Sequence, residues 1–154
     1  MVREHGPAIW GLCRRLCPEP EDAYQEIWEK ALAALPRFDP AGTASLRTWL
    51  TTIAHRHLID RDRRRRTRGI VVSLGERPDP AGLDESLDRT RRIAHLECAI
   101  QRLPEAHRRA VVLHHLHGRP LEVIAQVEGV AVGTIKSRLH RARARLTELL
   151  LGSA

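Results

Sequence analysis

A chain of 154 residues with three cysteines, and with no apolar run near the roughly eighteen residues of a membrane-spanning helix, excludes a large multidomain assembly, a disulfide framework and membrane insertion. Its 26 Lys and Arg against 19 Asp and Glu leave a net charge of +7, which points to a polyanionic partner, either nucleic acid or an acidic membrane surface. With 42% hydrophobic but only 3% aromatic residues, the core must be mostly Leu, Ile, Val and Ala.

Nearly all of the chain reads as helix. Ile9, Leu12, Cys13 and Leu16 recur at helical spacing and predict a first helix over about 7–17. A second, over about 20–35, has an apolar stripe of Tyr24, Ile27, Trp28 and Ala31 and an opposite stripe of Asp22, Gln25, Glu26 and Glu29. "LPRFDPAGTAS" then breaks the pattern with two prolines and a glycine. The third helix, about 44–64, has Leu46, Trp49, Leu50, Ile53 and Ala54 as its apolar face and ends in "RDRRRRTR". "GIVVSL" at 69–74 is the one β-branched run.

The stretch 69–90 reads as a flexible linker, with two Pro, two Gly and five acids in "SLGERPDPAGLDESLD". Helix four follows over about 91–103, with Ile93, Leu96, Ile100 and Leu103 in line. Pro104 opens a fifth, with Ala110, Leu113 and Leu116 inward, and Gly118 ends it. "PLEVIAQVE" is the sixth, Gly129 a turn, and the seventh runs over about 132–150. The expected fold is all-α: two small helical domains, 1–68 and 91–154, joined by the linker 69–90. Each is too small to be generously stable alone.

The seventh helix carries the clearest functional signal. On a wheel of 100° per residue, Ile135, Leu139, Ala142 and Leu146 share one narrow stripe. Gly133, Ser137, His140, Arg141 and Ala144 lie opposite, flanked by Arg138 and Arg145 on one side and Lys136 and Arg143 on the other. Small and hydrogen-bonding side chains suit base edges in a major groove, and flanking cations suit its phosphate walls. A plain solvated face would normally mix acids with its cations, yet residues 129–147 contain none. With the sixth helix and the Gly turn, this makes a helix-turn-helix.

"LPEAHRRAVVLHHLHGRPLEVIAQVEGVAVGTIKSRLHRARARL" at 103–146 resembles domain four of the extracytoplasmic-function (ECF) RNA polymerase sigma factors. "EDAYQEIWEKALAAL" and "SLRTWLTTIAHRHLIDRDRRRR" resemble their domain two, in the right order and with the linker where the family has one. The resemblance implies a non-enzymatic subunit that binds core RNA polymerase, reads two promoter elements in DNA, and is held by an anti-sigma factor. It needs no cofactor or metal and is expected in the cytoplasm, because "MVREHGPAIW" lacks a signal-peptide core.

By that resemblance, the upstream (−35) element is met by Thr134, Lys136, Ser137, Arg138, His140, Arg141, Arg143 and Arg145. The downstream (−10) element is met by Arg56, Asp60, Arg61, Arg63 and Arg64, with 38–45 as specificity loop. Cations there suit a melted strand's backbone, while Trp49 is expected in the core. Asp22, Gln25, Glu26 and Glu29 match the surface that docks on the polymerase clamp, and the acidic linker would thread the enzyme's basic channel. The competing reading is an autonomous helix-turn-helix regulator that binds duplex DNA without polymerase.

The chain departs from the family in four places. Its first helix begins almost at Met1, where relatives have another turn or two, and "CPEPEDAYQ" is a few residues short. Arg56 stands where the family often has Asn, and Glu128 replaces a usual apolar residue. Cys13 and Cys17 lie one turn apart, and His114, His115 and His117 cluster. Zinc needs about four converging ligands. The thiols are therefore expected as core packing, and the histidines as surface residues.

Overall fold

The computed structural model describes residues 1–70 and 85–152, with side chains over 1–70 and 89–152. The rest of the linker, 71–84, and all of "GIVVSL" beyond Ile70 lie outside the described residues. The chain divides into two compact units, Met1–Ser73 and Leu74–Ala154. Every described element is helical.

In the first unit, α1 (Val2–Leu16), α2 (Pro20–Ala34) and α3 (Leu46–Thr67) pack on one another, with a 3₁₀ turn at Leu35–Arg37. Their core is Ile9, Leu12, Cys13, Leu16, Ala23, Ile27, Trp28, Ala31, Leu50, Ala54, Leu58 and Ile59. Helix α1 starts at Val2 rather than near Pro7, and it carries Pro7 inside. Proline there forfeits its own N–H bond and crowds the Arg3 carbonyl one turn back, so its cost falls on the first two turns of the helix. Gly6, buried one residue earlier, lets the helix lie against α2, since a Cβ there would come within 2.9 Å of Tyr24 Oη.

Helix α3 begins at a Ser45 cap whose hydroxyl accepts from Thr48 N at 3.1 Å. It runs through the arginine tract to Thr67, longer than its apolar spacing predicts. Cations in a last turn are favoured by the helix dipole. Gly69, at φ +68°, closes the end, where Ile70 N donates to Arg65 O at 3.1 Å.

In the second unit, α4 (Glu85–Gln101), α5 (Glu105–Val111) and α6 (Leu121–Glu128) join α7 (Val132–Leu151). Helix α4 starts inside the stretch the sequence reads as linker, because no Pro or Gly interrupts 85–103. Of the apolar stripe predicted here, Ile100 and Leu103 are buried, while Ile93 and Leu96 are 53% and 40% exposed. A π turn at Val112–Leu116 widens the end of α5. The extra residue in that turn swings Leu116 out to 42% exposure, although its spacing from Leu113 predicts an inward position. Gly129, at φ +68°, makes the turn between α6 and α7.

Candidate nucleic-acid interface

Helix α7 buries Ile135, Leu139 and Ala142 against α5 and α6. That leaves Thr134, Lys136, Ser137, His140, Arg141, Arg143, Ala144 and Arg145 exposed. Three of the cations already have partners. Arg138 donates through Nη1 to Glu128 Oε2. Arg143 Nη2 donates to His115 Nε2 at 3.2 Å. Arg145 Nη1 meets Glu148 Oε2 at 2.8 Å on the surface. Exposed pairs of that kind exchange readily for a phosphate.

His115, one of the clustered histidines, and His107, which no sequence pattern marks, both sit on the preceding helical segments. Burial, then the neighbouring His114 and Arg143, keep His115 below the ordinary histidine range. Burial, then Arg141 and Arg138, do the same for His107. Both rings therefore border the cationic face of α7.

In the first unit, one stripe of α3 carries Trp49, Ile53, Arg56, Asp60, Arg63 and Arg64. All four charged residues of that stripe are exposed. Trp49 is half-buried rather than in the core, and its ring tilts against Phe38 with centroids 5.2 Å apart. The periodicity misled here because the buried face of α3 is built partly from Thr51, His55, His57 and Asp62, which do not read as apolar. The loop before α3 is tightened at its tip, where Ala41 N donates to Asp39 Oδ1 at 2.9 Å and Gly42 N to Asp39 O at 3.1 Å. Aromatic rings beside exposed guanidiniums suit a single strand, by stacking and by backbone contact.

Arg61 stands apart from that stripe. Its Nη1 donates to Glu26 Oε1 at 2.7 Å and its Nη2 to Glu19 Oε2 at 3.2 Å. It thereby braces α3 to α2 rather than joining Arg56, Arg63 and Arg64. Glu26 is correspondingly only half-exposed, whereas Asp22, Gln25 and Glu29 are exposed. Leu32 and Leu35 extend this outer face of α2 at 53% and 36% exposure. The sequence stripe omits them because it was traced through polar residues alone.

His57 completes the knot, 3% exposed, between Lys30 Nζ at 2.8 Å from Nδ1 and Glu26 Oε2 at 2.9 Å from Nε2. Lysine can only donate, so Nδ1 accepts and the proton of the neutral ring sits on Nε2, close to the carboxylate though not aligned for a hydrogen bond to it. Burial, then the Lys30 charge, holds His57 below the usual histidine range. Burial pushes Glu26 up, but the Arg61 hydrogen bond and charge win and hold it down.

The unfolded chain takes up the histidine proton first, below about pH 6.5. The stability held by neutral His57 is thus present above that pH and drains as pH falls; that of Glu26 drains at lower pH still. Amide exchange in α2 and α3, corrected for intrinsic rates, should accelerate severalfold between neutral pH and the mildly acidic range. His57→Gln should flatten the change. An unaltered pH profile in that variant would refute the assignment.

Cys13 is fully buried, and burial, reinforced by Cys17, pushes its thiol up to about 12. His114 Nδ1 donates to Arg119 O at 2.9 Å, which fixes the turn after α5. Among the described residues no three His, Cys, Asp or Glu side chains are grouped to hold a metal. Nor is any described helix long and apolar enough to cross a membrane.

The model of sigma-70 region 2 matches residues 1–68, and that of sigma-70 region 4 matches 93–146. The chain is 36% identical over 135 residues to the ECF RNA polymerase sigma factor EcfG of Rhodopseudomonas palustris, covering 84% of this chain and 70% of the relative. It is 32% identical to the RNA polymerase sigma factor CarQ of Myxococcus xanthus, over 97% of this chain and 87% of the relative. Among solved structures it resembles the sigma factor RpoE of Bartonella quintana, bound there to the anti-sigma factor NepR. That likeness has a TM-score of 0.71 at 28% identity, over 97% of this chain and 93% of that one. It also resembles CnrH in complex with the cytosolic domain of CnrY, with a TM-score of 0.59 at 26% identity, covering 99% and 86%. A match over both units, rather than over a helix-turn-helix alone, favours this family over autonomous regulators. The chain belongs to the ECF family of RNA polymerase sigma factors, carries their regions 2 and 4, and directs promoter recognition by the polymerase rather than catalysing a reaction.

Proposed function

We propose that α7 reads the upstream promoter element as duplex, that α3 and the loop 38–45 capture the downstream element as a melted strand, and that the outer face of α2 docks on core polymerase. The observation that carries this is α7 itself. It buries Ile135, Leu139 and Ala142 and turns Ser137, His140 and Arg141 outward between cations. The stripe from Trp49 through Arg64 supports the second role, with Arg61 acting as a brace beneath it. Region 2 then spans 1–68, region 4 spans 91–154, and the acidic stretch between them passes through the polymerase's basic channel. An anti-sigma factor holds the chain in the cytoplasm between signals. The similar sigma factor RpoE is itself bound to such a partner, NepR, and the similar CnrH is in complex with the cytosolic domain of CnrY.

The test separates base reading from phosphate contact on α7. Arg141 is exposed and can reach a guanine's O6 and N7 with two hydrogen bonds. Arg141→Ala should cost roughly 1–3 kcal/mol on the preferred upstream element and relax the choice at one base position. Arg145→Ala should weaken all sequences about equally and lower the salt slope by about one unit. Binding to single-base-pair variants of the element at two salt concentrations checks both. The opposite pattern would mean that α7 enters the groove in another rotation.

A further inference from the structure

Glu128 is the last residue of α6, and its side chain is only 4% exposed. A carboxylate there meets the negative end of the helix dipole in a poorly solvated site, and both oppose its charge. Two arginines from other helices compensate. Arg109 of α5 donates through Nε to Glu128 Oε1 at 3.3 Å, and Arg138 of α7 donates through Nη1 to Oε2. Arg109 also meets Glu105 Oε1 at 2.9 Å. One buried carboxylate therefore ties together α5, α6 and α7 of the DNA-reading unit. An apolar side chain would hold α6 to α7 without direction, whereas charge-assisted hydrogen bonds impose a defined geometry.

The same contact reassigns Arg138. On the helical wheel it flanks the reading face, where it resembles a phosphate ligand. In the structure its guanidinium turns back to α6 and its side chain is 21% exposed, against 54% for Arg145. We propose that Glu128 and Arg138 are positioning residues for upstream-element recognition. Their strut sets the roll of α7 against α6, and hence the direction of Ser137, His140 and Arg141, while Arg138 makes no phosphate contact of its own. The inference rests on the reading of α7 given above.

Salt dependence distinguishes the two roles, because each neutralised phosphate contributes about 0.9 to the slope of log affinity against log salt. The full chain would be titrated with a short duplex carrying an upstream element selected with core polymerase, and with its single-base-pair variants. Arg138→Met should leave the slope unchanged but blur base preference severalfold at the positions Arg141 reads. Glu128→Leu should blur it too, by stranding Arg138, and Glu128→Gln less so, because it keeps the shape and a hydrogen bond. The double variant Glu128→Leu/Arg138→Met should recover most of the discrimination, since the stranded Arg138 is gone and Arg109 keeps Glu105 as its partner. Helix exchange protection confirms that each variant is folded.

A slope lower by about 0.9 in Arg138→Met, with preference intact, would overturn the proposal. So would a double variant no better than either single one. Arg141→Ala serves as reference. If it leaves base preference unchanged, the upstream reading by α7 is what fails, and the strut falls with it.

Discussion

Ile135→Asp is expected to unfold the second unit while leaving the first intact. Ile135 is fully buried where α7 packs on α5 and α6. A carboxylate in that place has no partner to neutralise it, because Glu128, Arg109 and Arg138 already satisfy one another. Burying an uncompensated polar group costs several kcal/mol, and a lone charge more. A whole small domain holds only about 5–15 kcal/mol against unfolding. Loss of helical signal and of exchange protection in α5–α7, with α1–α3 still protected, is the predicted result. Ile135→Val, which removes one methylene, should cost only about 0.5–1.5 kcal/mol and keep DNA binding. Native protection of α7 in the Asp variant would show that this face is not the core of the unit.

The second large effect is on polymerase. Asp22→Lys combined with Glu29→Lys should lower affinity for core polymerase by about 100-fold or more, because like charges set against a basic partner cost several kcal/mol and each 1.4 kcal/mol is tenfold. Both residues are exposed, so folding stability should move by no more than about 0.5 kcal/mol. Glu26 belongs to the same stripe but is a poor choice for this test. Its reversal would leave Arg61 only Glu19 and set a further cation beside Arg61, Lys30 and the His57 ring. Glu26→Lys should therefore destabilise the first unit, and its loss of polymerase binding would report unfolding rather than docking. Affinity unchanged in the Asp22/Glu29 double variant would remove α2 from the docking surface.

Helices with clean apolar spacing were legible residue by residue. Ile135, Leu139 and Ala142 mark the buried side of α7, and Ile27, Trp28 and Ala31 that of α2, because one solvent-averse stripe on a rigid helix has one place to go. Helix α3 was less legible, since its inner face includes His55, His57 and Asp62, and Trp49 stays half outside against Phe38. Leu116 is turned out by the extra residue of the π turn, which spacing does not show, and the stripe of Ile93 and Leu96 stays open because spacing says which residues share a face but not whether another element covers it.

The sequence by itself determined the all-helical class, the two-unit order, the recognition helix with its acid-free cationic face, and the family. Each of these depends on local periodicity, on composition or on a contiguous motif, all of which survive without a third dimension. Only the tertiary structure decided which charges are available to a partner. Arg61, Glu26, Arg138 and Glu128 read in one dimension as surface charges or as a misplaced acid. Folding brings residues 35 and 10 positions apart within 2.7 Å for the first pair and into a direct hydrogen bond for the second. Desolvation then makes partnership cheaper than solvation for each of them, and that balance is set by neighbours from other helices rather than by neighbours in the chain.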